Sequence, residues 1–169
     1  MLKFQPVRSM PQRRACLTVY RDAMDYFARC GAPYPGRSTV EDDRTTMPEA
    51  PHGEKVYALV MRDGTVVGVI AYVLAAPGPR EVTLELLLVP TQVRNQGIGT
   101  QALAQLQMLA AAAGMQRLVV TLINPKNADA AFWQHRGFRV VGQAREALAA
   151  GVYRRVVRLS APVRVPVTV

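Results

Sequence analysis

The sequence predicts an α/β fold of the α+β kind: a central, twisted, mixed sheet of about six to seven strands, mostly antiparallel with one parallel pair, flanked by about four helices. Three observations carry this. Lys55 to Arg62 and Thr65 to Leu74 are strand-rich and joined by Asp63-Gly64, the preferred tight-turn dipeptide. A strand from Glu81, a helix-forming run from Ile98 to Ala113 and a strand from Arg117 to Ile123 follow one another, and that order implies a parallel pair. Helical and strand periodicities also alternate along the rest of the chain.

The 169 residues suit one domain, 1–169, with a single good core. Half of them are hydrophobic, yet no stretch is long enough to span a bilayer, so no membrane partner is expected. MLKFQPVRSM lacks the apolar core and cleavage pattern of an export signal. Cys16 and Cys30 are too few for a disulfide scaffold and read as buried thiols on one helix, in a cytoplasmic protein. No His/Cys cluster has metal-ligand spacing, so no metal is expected. The net charge of +9 comes from 21 basic residues, 18 of them arginine, against 12 acidic ones. That balance suits a ligand with several phosphates and leaves nucleic acid open, but the arginines are scattered and no aromatic residues interleave them.

Taken in order, Lys3 to Val7 is a first strand, with Pro6 marking an edge or an end. From Pro11 or Gln12 to Arg29 the pattern is helical, with Cys16, Tyr20, Met24 (or Ala23), Phe27 and Cys30 on one stripe and Gly31 as C-cap. The next segment, to Glu54, reads as loop with a short helix after Thr46, and carries Glu41, Asp42, Asp43, Glu49 and Glu54. After the hairpin, Pro77-Gly78-Pro79 turns the chain into the central strand. There Val82, Leu84, Leu86 and Leu88 fill one face, and Glu81, Thr83, Glu85, Leu87 and Val89 the other. Pro90 ends it. Gly114 caps the Ile98–Ala113 helix, and a further helix starts at Asn124-Pro125 or at Asn127 and ends at Gly137. Phe138 to Val141 and Val152 to Leu159 are the last strands, and the tail 161–169 is a frayed arm or an edge-strand contact.

Between the central strand and its helix lies Arg94-Asn95-Gln96-Gly97-Ile98-Gly99-Thr100. A basic turn with two glycines at a helix start is an anion site, because the first helical N–H groups lack partners and the macrodipole favours negative charge. Without a following Gly-Lys-Ser/Thr it is not a P-loop. Without a third glycine and an acidic residue about 20 residues on, it is not a dinucleotide fingerprint either.

Arg94-Asn95-Gln96-Gly97-Ile98-Gly99 resembles the Gln/Arg-x-x-Gly-x-Gly/Ala signature of the GNAT-type N-acetyltransferase superfamily. The strand RLVVTLI and the stretch from Asn127 through Phe132-Trp133 to Gly137-Phe138 extend the likeness over roughly Val56 to Leu159, while residues 1–55 match only in general layout. The resemblance implies an acyl-CoA N-acyltransferase fold and acetyl-CoA as cosubstrate, its pyrophosphate on Arg94 to Thr100. It implies backbone oxyanion donors around Leu88 and Val89, and an acceptor-shaping segment in 1–55 ahead of a cofactor-binding core, 56–160. Asn127 or Asn124 takes the family asparagine's contact, and Trp133 stands where many members carry a tyrosine acid, packing in the core or beside the pantetheine arm.

The chemistry ranks the roles. Deprotonating an alkyl amine at neutral pH costs roughly 4–5 kcal/mol, and leaving a thiol unprotonated roughly 2 kcal/mol, so a base matters more than an acid. Glu85 is the candidate base, with burial raising its pKa, and Glu81 the reserve; Tyr153 or a water is the candidate acid. Glu41, Asp42 and Asp43 are candidates for receiving a cationic amine, small-molecule or peptide. Two other readings stay open: a non-catalytic acyl-CoA sensor and an acyltransferase acting on an RNA-linked amine. The sequence also leaves a homodimer open.

Overall fold

The computed structural model describes residues 1–50 and 52–164. Among them are seven strands: β1 (Leu2–Pro6), β2 (Glu54–Arg62), β3 (Thr65–Leu74), β4 (Glu81–Leu88), β5 (Arg117–Ile123), β6 (Arg139–Ala149) and β7 (Val152–Pro162). They form one sheet in the order β1-β2-β3-β4-β5-β7-β6. Of these neighbours, β4 and β5 run parallel and the rest antiparallel. Five helices flank the sheet: α1 (Met10–Asp22), α2 (Met24–Arg29), α3 (Arg37–Thr45), α4 (Ile98–Ala112) and α5 (Asn127–Gln134). No helix among the described residues is long and apolar enough to cross a membrane.

Adjacent residues along a strand point to opposite faces, and the core divides accordingly. Ala58, Ile70, Tyr72, Leu118, Val120 and Leu159 pack with Ile98, Leu103 and Leu106 of α4 and with Trp133 of α5. Tyr57, Leu59, Val69 and Ala71 pack on the other face with Cys16 and Tyr20 of α1, Phe27 of α2 and Val40 of α3. The sheet therefore lies between an α1–α3 layer and an α4–α5 layer.

The Asp63-Gly64 hairpin forms as expected, both turn residues holding positive φ of 50° and 79°. Four sequence expectations need correction. The first helix is broken at Ala23 (φ −120°, ψ 35°), so Cys16 lies on α1 and Cys30 just beyond α2. The Thr91 hydroxyl donates to the Asp22 carbonyl at 2.8 Å, satisfying a group that the break exposes. The short helix comes before Thr46, not after it. The Thr39 hydroxyl accepts the Gly36 N–H at 3.0 Å at its start, and Val40 is its buried residue. β6 is far longer than Phe138–Val141, because pairing with β7 holds 142–149 in strand despite its alanines and glutamate. β7 likewise runs on to Pro162, opposite Arg117. Of the rest of the expected tail, Val163 and Arg164 follow β7, and 165–169 lie outside the described residues.

The fourth correction positions the site. Ala71 pairs with Leu86 and Tyr72 with Leu84, so Glu85 is an extra residue in β4, a β-bulge. Beyond it the faces exchange. Val82 and Leu84 pack on the α4–α5 side, Leu86 and Leu88 on the α1–α3 side, with Leu87 and Val89 turned back towards α4. The single apolar face read from strict alternation does not exist.

Candidate active site

Pairing of β4 with β5 stops at Leu84–Val120, one residue before the bulge. From there β4 continues against β3 alone and β5 against β7 alone, so the two strands part. A cleft of about 650 Å³ occupies the gap. Residues of both layers line it: Ile98, Phe132 and Trp133 from one side, Asp25, Tyr26 and Arg29 from the other. Backbone groups of β4 beyond Leu84 that would have met β5 have no strand partner there.

The turn after β4 makes the floor. A single 3₁₀ turn, Thr91–Val93, leads to Asn95 at φ 61° and to Gly97 at φ 76°, the left-handed N-cap of α4. No side chain caps α4. The first intrahelical bond at this end is Gln101 N–H to the Gly97 carbonyl, so the N–H groups of Ile98, Gly99 and Thr100 lack helical partners. Gly99 lies against the Phe132 ring, where a Cβ would make ordinary contact at 3.4 Å. Arg94, Asn95, Gly97, Ile98, Gly99 and Thr100 all line the cleft, whereas Gln96 turns away to accept from Arg62 at 3.0 Å.

The charges are arranged differently from the simplest reading of the motif. Arg94 is held in a fork by Asp25, at 2.6 and 2.9 Å, and its Nε donates to the Val89 carbonyl at 2.9 Å. That fork holds the Asp25 carboxyl below the usual carboxylate range. Arg29 pairs with Asp129 at 2.7 Å, so α2 is strapped to the β4 side through Asp25 and to α5 through Arg29. The cation at the α4 N-terminus is instead Arg136. It stacks 3.6 Å over the Phe132 ring, donates to the Phe132 carbonyl at 2.6 Å and also donates to the Thr100 hydroxyl.

Glu85 lines the cleft with its side chain 27% exposed, and Lys55 Nζ sits 2.7 Å from its carboxylate. It is a paired carboxylate on the open side of a bulge rather than a buried one. Lys55 also donates to the Thr46 carbonyl at 2.6 Å, tying β2 to the end of α3. Asp43 lies in the field of Lys55 and Glu85. Burial pushes its carboxyl upward, against the Tyr20 hydroxyl that donates to it at 2.7 Å. The Tyr57 hydroxyl continues this chain to Tyr20 at 2.7 Å.

Other expected residues scatter. Glu41 pairs with Arg13 and Arg44, Asp42 is exposed, and none of residues 41 to 43 lines the cleft. Leu88 and Val89 line it where the strands part, and Trp133 is both buried and on its wall, edge-on to Phe132 and Phe138. Asn124 spends its amide on backbone, donating to the Arg29 carbonyl and accepting from the Arg155 N–H; Asn127 is exposed at the start of α5. Neither asparagine lines the cleft. Tyr153 is 56% exposed beneath Arg145 on the β6–β7 hairpin, outside the cleft lining. Glu81 lies at the start of β4, opposite Arg117. Tyr26, which lies off the stripe read from the sequence and was not among the expected site residues, is the tyrosine on the cleft wall. Burial raises its phenol, with Cys30 beside it. Arg136 carried no local signal, since only the fold brings it to Thr100.

The sequence profile of the Acetyltransferase (GNAT) family matches residues 17–138, and the chain belongs to that family. No curated protein sequence matches it significantly. Among solved structures, an acetyltransferase from Thermus thermophilus is similar over 96% of this chain and 97% of its own, with 24% identity and a TM-score of 0.75. The ribosomal-protein-S18-alanine N-acetyltransferase from Escherichia coli is similar over 98% of this chain and 96% of its own, at 14% identity and a TM-score of 0.71. For Ard1 from Thermoplasma volcanium the shares are 97% and 99%, at 15% identity and a TM-score of 0.68. These likenesses show the fold. Among the described residues no cluster of His, Cys, Asp or Glu could hold a metal ion.

Proposed function

We propose that the protein is an N-acetyltransferase that moves the acetyl group of acetyl-CoA onto a primary amine by direct attack on the thioester. The observation that carries this is the parted β4–β5 pair with an uncapped helix N-terminus at one end and a carboxylate at its bulge. Acetyl-CoA fits that cradle. Its pyrophosphate suits the unpartnered N–H groups of Ile98, Gly99 and Thr100, where the macrodipole and Arg136 favour negative charge. Its amide-bearing arm suits the unpaired edge of β4, between Trp133 and Leu87. When bound, it supplies an activated acetyl carbon and a thiol leaving group.

The chain's own groups supply the rest. Backbone N–H groups around Leu88 and Val89 face developing negative charge on the carbonyl oxygen. The amine lone pair forms the new C–N bond as the C–S bond breaks, and Glu85 accepts the ammonium proton directly or through a water. Tyr26, protonated at neutral pH, is better placed than Tyr153 to supply the thiol proton. The α1–α3 layer, roughly residues 1–55, takes the acceptor, a small molecule or peptide amine, and the cytoplasm is the proposed site of action.

The test is thiol release from acetyl-CoA across polyamines, amino acids, aminoglycosides and peptide N-termini, alongside calorimetric binding of acetyl-CoA. Amine-dependent release is expected. Binding without release for any amine would make the chain a sensor, and loss of neither binding nor release in Gly97→Glu would overturn the cofactor assignment.

A further inference from the structure

A second cavity, of about 430 Å³, lies apart from the cleft at the other end of β5 and β7, lined by Arg117, Gly137, Arg139, Val140, Val141, Ser160, Pro162 and Arg164. Three strands build it. Ser160 of β7 pairs with Val119 of β5 on one side and with Arg139 of β6 on the other. Arg117, at the start of β5, reaches Ser160 from the opposite side to Arg139. Its Nε and Nη2 both donate to the Ser160 hydroxyl, at 3.1 and 2.8 Å. Arg164, just past β7, lays its guanidinium over Gly137, where a Cβ would lie 3.0 Å from its Nη2. Gly137 itself holds a φ of 86°, a backbone conformation that favours glycine.

Among the described residues no carboxylate lines this cavity, and none of the three arginines forms an ion pair. Arg94, Arg29, Arg13, Arg44 and Arg154 by contrast all have acidic partners. Three exposed arginines that line one cavity without a counter-charge make it a favourable place for an anion. Arginine's planar fork matches the oxygens of a phosphate, and three forks suit a dianion better than a single carboxylate. The volume exceeds that of a bare oxyanion and falls within the range of small-molecule sites. Val141, 58% exposed, with Pro162, gives the rest of such a ligand an apolar wall.

We infer that this cavity is a second ligand site, which holds a small phosphomonoester by its phosphate between Arg117, Arg139 and Arg164 with its organic body against Val141 and Pro162. It is separate from the cofactor cleft and does not depend on the acetyl-transfer reading.

The experiment is calorimetric titration at constant ionic strength with two probes, inorganic phosphate and adenosine monophosphate. Both bind the wild type, and the monoester binds more tightly because it uses the apolar wall. Arg117→Gln/Arg139→Gln weakens both by about tenfold or more while acetyl-CoA affinity stays within about twofold. Gly97→Glu leaves both probes within about twofold. Should the double variant fail to fold, Arg139→Gln alone, at an exposed position, is expected to show the same direction. Absence of heat with both probes overturns the site, as does equal affinity in the arginine variants. Loss of probe binding in Gly97→Glu would place the phosphate at the α4 turn instead. Single-stranded RNA binding more tightly than either probe, and losing affinity in the arginine variants, would make this a nucleic-acid surface and overturn the small-ligand assignment.

Discussion

Glu85 shows how one residue's environment sets its chemistry. As the extra residue of a bulge it faces the cleft, and its carboxylate is shared with Lys55. Glu85→Gln keeps the shape and removes the basic site. A rate loss of roughly 10²–10⁴ at neutral pH is expected, shrinking as pH rises and more amine arrives neutral. A pH–rate profile checks this, and a variant within about threefold of wild type throughout would exclude Glu85 as base. Asp43 gives a stability test with a defined sign. Its folded pKa is raised by burial, so its charge opposes folding at neutral pH, and that penalty fades as pH falls through the raised folded value towards the unfolded one. Asp43→Asn keeps an acceptor for Tyr20 without the charge. Its unfolding midpoint should equal or exceed the wild type's near pH 7, with the difference vanishing in acid. A variant less stable at pH 7 would show that attraction to Lys55 outweighs desolvation.

Among the elements, β4 and α2 decide what the cleft can do. Strand periodicity located β4, and glycine spacing located the start of α4, because both are local properties of the chain. The bulge was not legible: Glu85 among leucines satisfies alternation either way, and only pairing with β3 shows which residue is extra. α2 was hidden for the converse reason. Its sequence continues the helical stripe of α1, and the break at Ala23 becomes favourable only when Thr91, Arg94 and Asp129 are present to receive it. Gly68 records how closely β3 approaches the end of β4, since a Cβ there would sit 2.6 Å from the Leu88 carbonyl oxygen. Gly68→Ala should therefore cost about 1–3 kcal/mol, read from denaturant unfolding. The Asp25–Arg94 fork makes a different prediction. If anionic cofactor competes with Asp25 for Arg94, Asp25→Asn should tighten acetyl-CoA binding severalfold and steepen its salt dependence. Calorimetry at two salt concentrations checks both, and unchanged affinity would show that Arg94 serves α2 alone.

For the molecule as a whole, two helical layers enclose one sheet, and on the proposed function they divide labour between acceptor and donor. The hairpin and the parallel pair were readable from a turn dipeptide and the strand–helix–strand succession. Acceptor-side geometry was not, because Tyr26, Arg29 and Asp43 come near β4 only through packing over more than about 40 residues of separation. Ligand linkage offers a global test: acetyl-CoA at about 100 times its dissociation constant should raise unfolding free energy by about 2.7 kcal/mol. A midpoint unmoved by saturating ligand would mean that it does not bind the folded chain, or binds the unfolded chain equally well.

The cleft is lined from both sides of the sheet, and this has a kinetic meaning. A donor seated from the α4 side and an acceptor arriving from the α2 side use separate doors, so neither must depart for the other to enter. Among the described residues no cysteine stands on the cleft wall to take the acetyl group in between. Initial rates at several fixed donor concentrations should then give reciprocal plots that intersect, the mark of both reactants held together at once, whereas parallel lines would reveal a covalent relay.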